Sequence, residues 1–137
     1  MKRALGMMLL VSCGCGGEKP TPIVATGAKD AAVEFFGGLT TSDAQRAYGV
    51  LDGESKQRVS ATQFSPLVQA YSRKLGYRVE RVHISSCEER EESATAHVVL
   101  IGHSAGHSRR FEDAVTLRRR DGHWGIVLPV NFGRYPR

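Results

Sequence analysis

The stretch that decides the fold runs from residue 77 to residue 129, where apolar and polar residues alternate. It contains four such segments, YRVERVHISS (77–86), ATAHVVLIGH (94–103), RFEDAVTLRR (110–119) and HWGIVLP (123–129). A period of two predicts β-strands that bury one face. The links between the segments are too short for crossover helices, and Asp121-Gly122 is a strong hairpin signal. These features predict a four-stranded antiparallel meander.

Upstream of residue 77 the apolar residues recur with a helical period. Gly37-Gly38 predicts the end of a first helix, and Asp52-Gly53 predicts a turn after a second. Helices followed by a meander indicate an α+β fold, with N-terminal helices packed on a curved four-stranded antiparallel sheet. Three helical runs are present, and their apolar positions are Ala28, Ala31, Ala32, Phe35 and Leu39, then Ala44, Ala47, Tyr48 and Leu51, then Phe64, Leu67, Val68, Tyr71 and Leu75.

Local signals predict where the second and third helices begin. Ser42 with Gln45, and Ser60 with Gln63, have the spacing of a capping box. Pro66 predicts a helix restart, because proline is favoured at the first helical position.

The extreme N-terminus has a different character. Met1-Lys2-Arg3 is positively charged, and the apolar run at 4–11 is too short to span a bilayer, which takes about 20 residues. This pattern is typical of a secretory signal. Leu10-Val11-Ser12-Cys13 follows it and resembles the lipobox of bacterial lipoproteins. The resemblance implies cleavage before Cys13 and a diacylglyceryl thioether with palmitate-type chains on Cys13, the only cofactor-like group expected.

The resulting organisation is a lipoprotein signal peptide at 1–12, a lipidated flexible tether at 13–27 and one α+β domain at 28–137. The tether is rich in Gly, Pro and Thr. The lipoprotein resemblance implies attachment to the membrane of the bacterial cell envelope. Gly14 replaces the Asp that typically favours inner-membrane retention, so the periplasmic face of the outer membrane is favoured in a Gram-negative cell.

The domain resembles the NTF2-like (cystatin-like) superfamily in several places. These are Phe35-Phe36 in the first helix, SDAQRAYGVL at 42–51, the Ser60-x-x-Gln63-Phe64 sequence, and Trp124 after the Asp121-Gly122 turn. The resemblance implies a cone with a pocket between the sheet and the helices. Relatives use this pocket for lyase or isomerase chemistry or as a ligand cup, and others use the fold as a dimerisation platform.

The implied pocket leads to a set of candidate lining residues. His97 shares a strand face with Val99 and Ile101, which predicts either a core histidine or a pocket-lining group. Tyr48, Asp52, His97 and Asp113 are of catalytic types, but no catalytic residue is assigned. The candidate pocket consists of Tyr48, Phe64, Tyr71, His97, Phe111 and Trp124.

Other partner classes receive little support. The net charge of +5 includes Lys2 and Arg3, which belong to the signal, and no basic patch is interleaved with aromatic residues, so no nucleic-acid partner is expected. His103-x-x-x-His107 lacks further ligands at metal-binding spacing, so no metal site is expected. The run Arg118-Arg119-Arg120 is typical of a solvated strand end, with contact to an anion as the alternative.

The sequence therefore predicts a membrane-anchored envelope lipoprotein whose domain is a binding or scaffold module. Its ligand, a small molecule or a protein, stays open. The alternative is a small lyase or isomerase that uses the cone as its active site, although a non-catalytic role is favoured. A homodimer through the outer face of the sheet is a further expectation.

Overall fold

The computed structural model describes residues 27–135. The predicted signal peptide, the lipobox with Cys13 and nearly all of the tether lie outside these described residues. The elements in chain order are α1 (Ala28–Thr40), α2 (Ala44–Gly49), α3 (Gly53–Arg58), α4 (Ala61–Leu75), β1 (Arg78–Glu89), β2 (Ser93–Ser104), β3 (His107–Arg120) and β4 (His123–Val127).

The sheet is the predicted meander. Its strands pair antiparallel in the order β1-β2-β3-β4. Ala105-Gly106 and Asp121-Gly122 connect β2 to β3 and β3 to β4, and all four residues have positive φ, between 51° and 78°. Such turns match the twist of a hairpin, which confirms Asp121-Gly122 as a hairpin turn. The α+β fold, with helices on one face of a curved antiparallel sheet, is confirmed.

The inner face of the sheet forms half of the core. Ala96, Val98 and Leu100 of β2 are buried, as are Val115 and Leu117 of β3. Their partners are the buried side chains of α1 and α4, including Phe35, Phe36, Leu39, Phe64, Val68 and Tyr71.

Helix α1 does not end at the Gly37-Gly38 pair, so that prediction was wrong. The helix continues to Thr40, and the two glycines allow α2 to approach closely. A Cβ on Gly38 would lie 2.7 Å from the backbone nitrogen of Ala47, and one on Gly37 would lie 2.9 Å from Arg46 Nη2. Arg46 also donates to both carboxylate oxygens of Glu34, at 2.9 and 2.8 Å. These glycines therefore reflect packing between helices rather than termination.

The predicted start of α2 was displaced by one residue. Asp43, not Ser42, caps the helix, because its side chain accepts a hydrogen bond from Arg46 N at 3.1 Å. Ser42 lies in the left-handed region with φ of 58°. Asp is as good a cap as Ser, so spacing alone did not decide between the neighbours.

The predicted turn at Asp52-Gly53 is instead the start of α3, a helix that the sequence did not predict. Asp52 is its cap and accepts a hydrogen bond from Ser55 N at 2.9 Å, although the side chain is buried. The sequence of α3, GESKQR, buries only Ser55, so it has no apolar stripe. A helical period is absent there, which explains why this helix was missed.

The capping box of α4 is confirmed. Ser60 accepts from Gln63 N, and the Gln63 side chain accepts from Ser60 N, at 3.2 and 3.0 Å. The helix therefore begins at Ala61, and Pro66 lies inside it rather than at its first position. The predicted restart at Pro66 was wrong, because the box upstream already begins the helix.

The free edge of β4 is covered by the chain between α2 and α3. Asp52 N donates to Ile126 O, and Ile126 N donates to Val50 O, each at 2.8 Å. Leu51 thereby forms an isolated parallel bridge with Ile126. This contact satisfies backbone groups that an edge strand would otherwise leave unpaired.

The close approach of α1 and α2 predicts different effects for two glycine-to-alanine substitutions. Gly38→Ala should lower the free energy of unfolding by about 1–3 kcal/mol, because its Cβ has no room against Ala47. Gly49→Ala is the matched control, since nothing lies within 4 Å of its Cβ, and it should be neutral or slightly stabilising. Urea unfolding measures both, and equal stability of the two variants would contradict this packing.

Candidate functional site

The interior of the cone is occupied by the segment that follows β4. Phe132 is buried and stacks on Tyr71 and Phe64, with ring centroids 5.5 and 5.9 Å away. It also contacts Phe35 at 6.1 Å. Aromatic pairs at these distances attract each other beyond the area they bury. The space between helices and sheet is therefore filled by side chains of the protein itself.

Contacts with two helices hold the C-terminal segment, which comprises the described residues 128–135 after β4. Leu128 N donates to Ser55 Oγ at 3.0 Å, and Leu128 O accepts from Arg58 Nη2 at 2.6 Å. Gly133 has φ of 73°, and a Cβ there would lie 2.7 Å from that of Leu67. Lys74 Nζ lies 4.2 Å from the centroid of the Tyr135 ring. The segment is thus packed against both α3 and α4.

One polar pair lies at the rim of this interior. Tyr71 donates its hydroxyl hydrogen to Asp113 Oδ2 at 2.8 Å. Burial, and then the charge of Asp113, raise the pKa of Tyr71 well above its usual range. A tyrosine in this state stays protonated, so it acts as a hydrogen-bond donor rather than as a base.

The six candidate pocket residues do not share one cavity. Phe64 and Tyr71 belong to the buried core, and Tyr48 and Phe111 pack partly buried against it. Tyr48 donates to Val59 O at 3.0 Å and its ring lies 5.7 Å from Phe64. Trp124 is likewise partly buried against the core and also lines a surface cavity, whereas His97 is exposed.

His97 is exposed on the outer face of β2, so of the two predicted roles the core histidine was wrong, and the pocket-lining role stays a prediction. It does share this face with Val99 and Ile101, but the helices pack on the opposite face, where Val98 is buried. Alternation separates the two faces without showing which one is covered. His97 lines a shallow depression of about 290 Å³ together with Ser85 and Glu112.

Trp124 lines a second cavity, which we call the β4 groove. It lies between β4 and residues 49–56, and its volume is about 380 Å³. Arg118 and Arg120 stand at its side, and each donates to one carboxylate oxygen of Glu54 at 2.7 Å. These bonds and charges lower the pKa of Glu54. The run Arg118-Arg119-Arg120 predicted a charged strand end. The role of Glu54 was not predicted, because Arg118, to which it binds, lies 64 residues away in the sequence.

The described part of the chain gives little support for a metal site or for a reactive cysteine. Residues 27–135 contain no group of three His, Cys, Asp or Glu side chains that converge on one point. Cys87 is half-buried in β1, and burial raises the pKa of its thiol, which disfavours the reactive thiolate.

Comparison with known proteins supports the fold alone. No protein-family model and no curated protein matches the chain. A solved structure described as an NTF2-like transpeptidase from Campylobacter jejuni is 17% identical, covers 74% of this chain and 97% of its own, and has a TM-score of 0.60. A SEC-C motif containing protein from Rhodopseudomonas palustris is 9% identical over 76% of this chain and 77% of its own, with a TM-score of 0.56. The described domain therefore has an NTF2-like fold.

Filling of the cone by Phe132 predicts a large cost for its removal. Phe132→Ala should lower the free energy of unfolding by about 3–5 kcal/mol, as for other buried phenylalanines. Phe132→Leu keeps most of the apolar volume and should cost clearly less. Urea denaturation measures both, and a cost below about 1 kcal/mol for Phe132→Ala would mean that the ring does not contribute to the core.

The raised pKa of Tyr71 predicts a loss of stability in alkali. Above pH 10 or so, the ordinary tyrosine pKa, the unfolded chain releases this proton while the folded one retains it. The unfolded state then binds fewer protons, so the free energy of unfolding falls as the pH rises. Tyr71→Phe should make this fall shallower when unfolding is measured from pH 8 to 11. An identical slope in the variant would contradict the assignment.

Proposed function

We propose that the protein is a bacterial envelope lipoprotein whose NTF2-like domain is a binding or scaffold module rather than an enzyme. The observation that carries the proposal is the position of Phe132. This ring stacks on Phe64 and Tyr71, so a side chain of the protein itself occupies the space where the resemblance implies a ligand pocket. Binding then takes place on outer surfaces of the domain.

The anchor part of the proposal is supported by the N-terminal sequence. Lys2 and Arg3, the short apolar run and Leu10-Val11-Ser12-Cys13 occur in the order of a lipoprotein signal. Two or three acyl chains on Cys13 hold a protein firmly to a bilayer. None of the helices within residues 27–135 has the length and apolar character to cross a membrane.

The tether sets the distance between the domain and the bilayer. Helix α1 begins at Ala28, directly after Gly27, so residues 13–27 connect lipid and domain. Fully extended, this segment reaches at most about 50 Å. A binding surface on the domain therefore stays close to the membrane.

The alternative is a small lyase or isomerase in the cone. Such an enzyme requires an ionisable group that faces an open cavity. Asp113 lines the open depression beside His97, but both of its carboxylate oxygens already accept a hydrogen bond, from the Tyr71 hydroxyl and from Ala114 N, each at 2.8 Å. This arrangement favours the binding module. The homodimer through the outer sheet face stays a prediction.

The lipid anchor predicts a specific effect of one substitution. Cys13→Ala should abolish incorporation of an alkyne-labelled palmitate analogue and leave an unprocessed precursor, because Cys13 supplies the thiol that is alkylated. Cys15→Ala is the matched control and should be labelled and processed like the native chain. Gel fluorescence and intact mass measure both properties. Labelling of the Cys13→Ala chain would contradict the anchor.

A further inference from the structure

The β4 groove combines a cavity with an unusual excess of hydrogen-bond donors. Its volume of about 380 Å³ lies within the range of small-ligand sites. Lys56, Arg118, Arg120 and His123 line it, and Asp52 is the one carboxylate among the lining residues. Asp52 is already engaged, since it caps α3 and lies 3.9 Å from Arg118 Nη1.

The two arginines already hold a carboxylate. Arg118 Nη1 and Arg120 Nη2 each bind one oxygen of Glu54. This contact is open to solvent, because 54% of the Glu54 side chain is exposed. Ion pairs of such exposure are weak, so a competing anion displaces Glu54 at little cost.

One further donor of the groove has spare capacity. Lys56 Nζ donates to Gly49 O at 3.3 Å, which leaves ammonium hydrogens free for another acceptor. The ring of Trp124 also lines the groove, whereas its Nε1 is buried from solvent and meets no acceptor among the described residues. The indole therefore serves as a reporter beside the groove rather than as a donor to its ligand.

We propose that the β4 groove binds a phosphate group in place of the Glu54 carboxylate. A carboxylate has two oxygens, and both are used by Arg118 and Arg120. A phosphate has additional acceptor oxygens, so it can bind both arginines and also accept from Lys56. Guanidinium pairs are well suited to phosphate because their planar donors match its oxygens.

The groove also lies beside the point where the tether enters the domain. A Cβ on Gly27 would be 3.5 Å from Trp124 Cδ1. A lipid headgroup and a soluble phosphate ester are therefore both within reach of the site. The lipid source rests on the proposed membrane anchor, whereas phosphate binding itself does not.

The test is a titration of inorganic phosphate at constant ionic strength into the full chain carrying Cys13→Ser, which has no acyl chain. Trp124 is the only tryptophan, so its indole N–H resonance is an unambiguous reporter. Glu54→Gln should tighten phosphate binding about two- to fivefold, because it removes the internal competitor. Arg118→Gln and Arg120→Gln should each weaken it about tenfold or more.

Matched controls come from the other arginine–glutamate pair of β3. Arg110 and Glu112 form an exposed ion pair at 2.8 Å outside the groove. Arg110→Gln and Glu112→Gln change the net charge by the same amounts and should leave phosphate affinity unchanged. Equal effects of Arg110→Gln and Arg118→Gln would overturn the proposal, as would the absence of a phosphate-dependent indole shift in both the native chain and Glu54→Gln.

Flotation with vesicles distinguishes the two sources of phosphate. Binding to phosphatidylglycerol vesicles that is lost in Arg118→Gln and Arg120→Gln supports the site with a lipid headgroup. Phosphate binding without vesicle binding supports it with a soluble ligand. Vesicle binding that survives both substitutions, without any indole shift, reflects overall charge and overturns it. None of these three outcomes depends on acylation of Cys13, so failure here leaves the labelling experiment on the anchor intact.

Discussion

Insertion of Phe132 into the aromatic cluster of Phe35, Phe64 and Tyr71 is the contact on which the rest of the domain depends. A curved sheet covered by helices on one face leaves a space at the open end of the cone. Here the chain fills that space with its own C-terminal segment. The stacked rings link α1, α4 and the segment after β4, so the helices and the sheet share one core.

Because side chains fill the interior of the cone, the charged groups available for binding lie at the β4 edge of the sheet. The chain at Val50–Asp52 pairs with β4 and begins α3 immediately afterwards, which places Glu54 opposite Arg118 and Arg120. Gly125 allows this approach, since a Cβ there would lie 2.7 Å from Asp52 Cα. The same packing that covers the edge therefore creates the β4 groove.

Much of the fold follows from local sequence rules. Alternation and the Asp121-Gly122 turn predict the meander, and Ser60 with Gln63 predicts the start of α4, because these signals act over a few residues. The errors share a different cause. Gly38 was read as a helix end although its partner Ala47 lies in another helix, and α3 has no apolar stripe to reveal it.

The candidate site was harder to predict than the fold. Alternation assigned His97 to the face of Val99, but which face the helices cover is decided by tertiary packing. The segment NFGRYPR at 131–137 has no periodicity, so nothing local indicates that Phe132 enters the core. The contact between Glu54 and Arg118 likewise spans 64 residues and has no local signature.

Native-state hydrogen exchange tests most directly whether the cone is permanently closed. Phe132 N donates to Pro129 O at 3.1 Å, so its amide reports on the C-terminal segment, while Leu100 in β2 reports on the core. If the segment is an integral part of the core, the Phe132 amide exchanges with an opening free energy close to that of Leu100. Exchange of Phe132 at the rate of an exposed loop, with Leu100 still protected, would show that the segment opens independently and would contradict a closed interior.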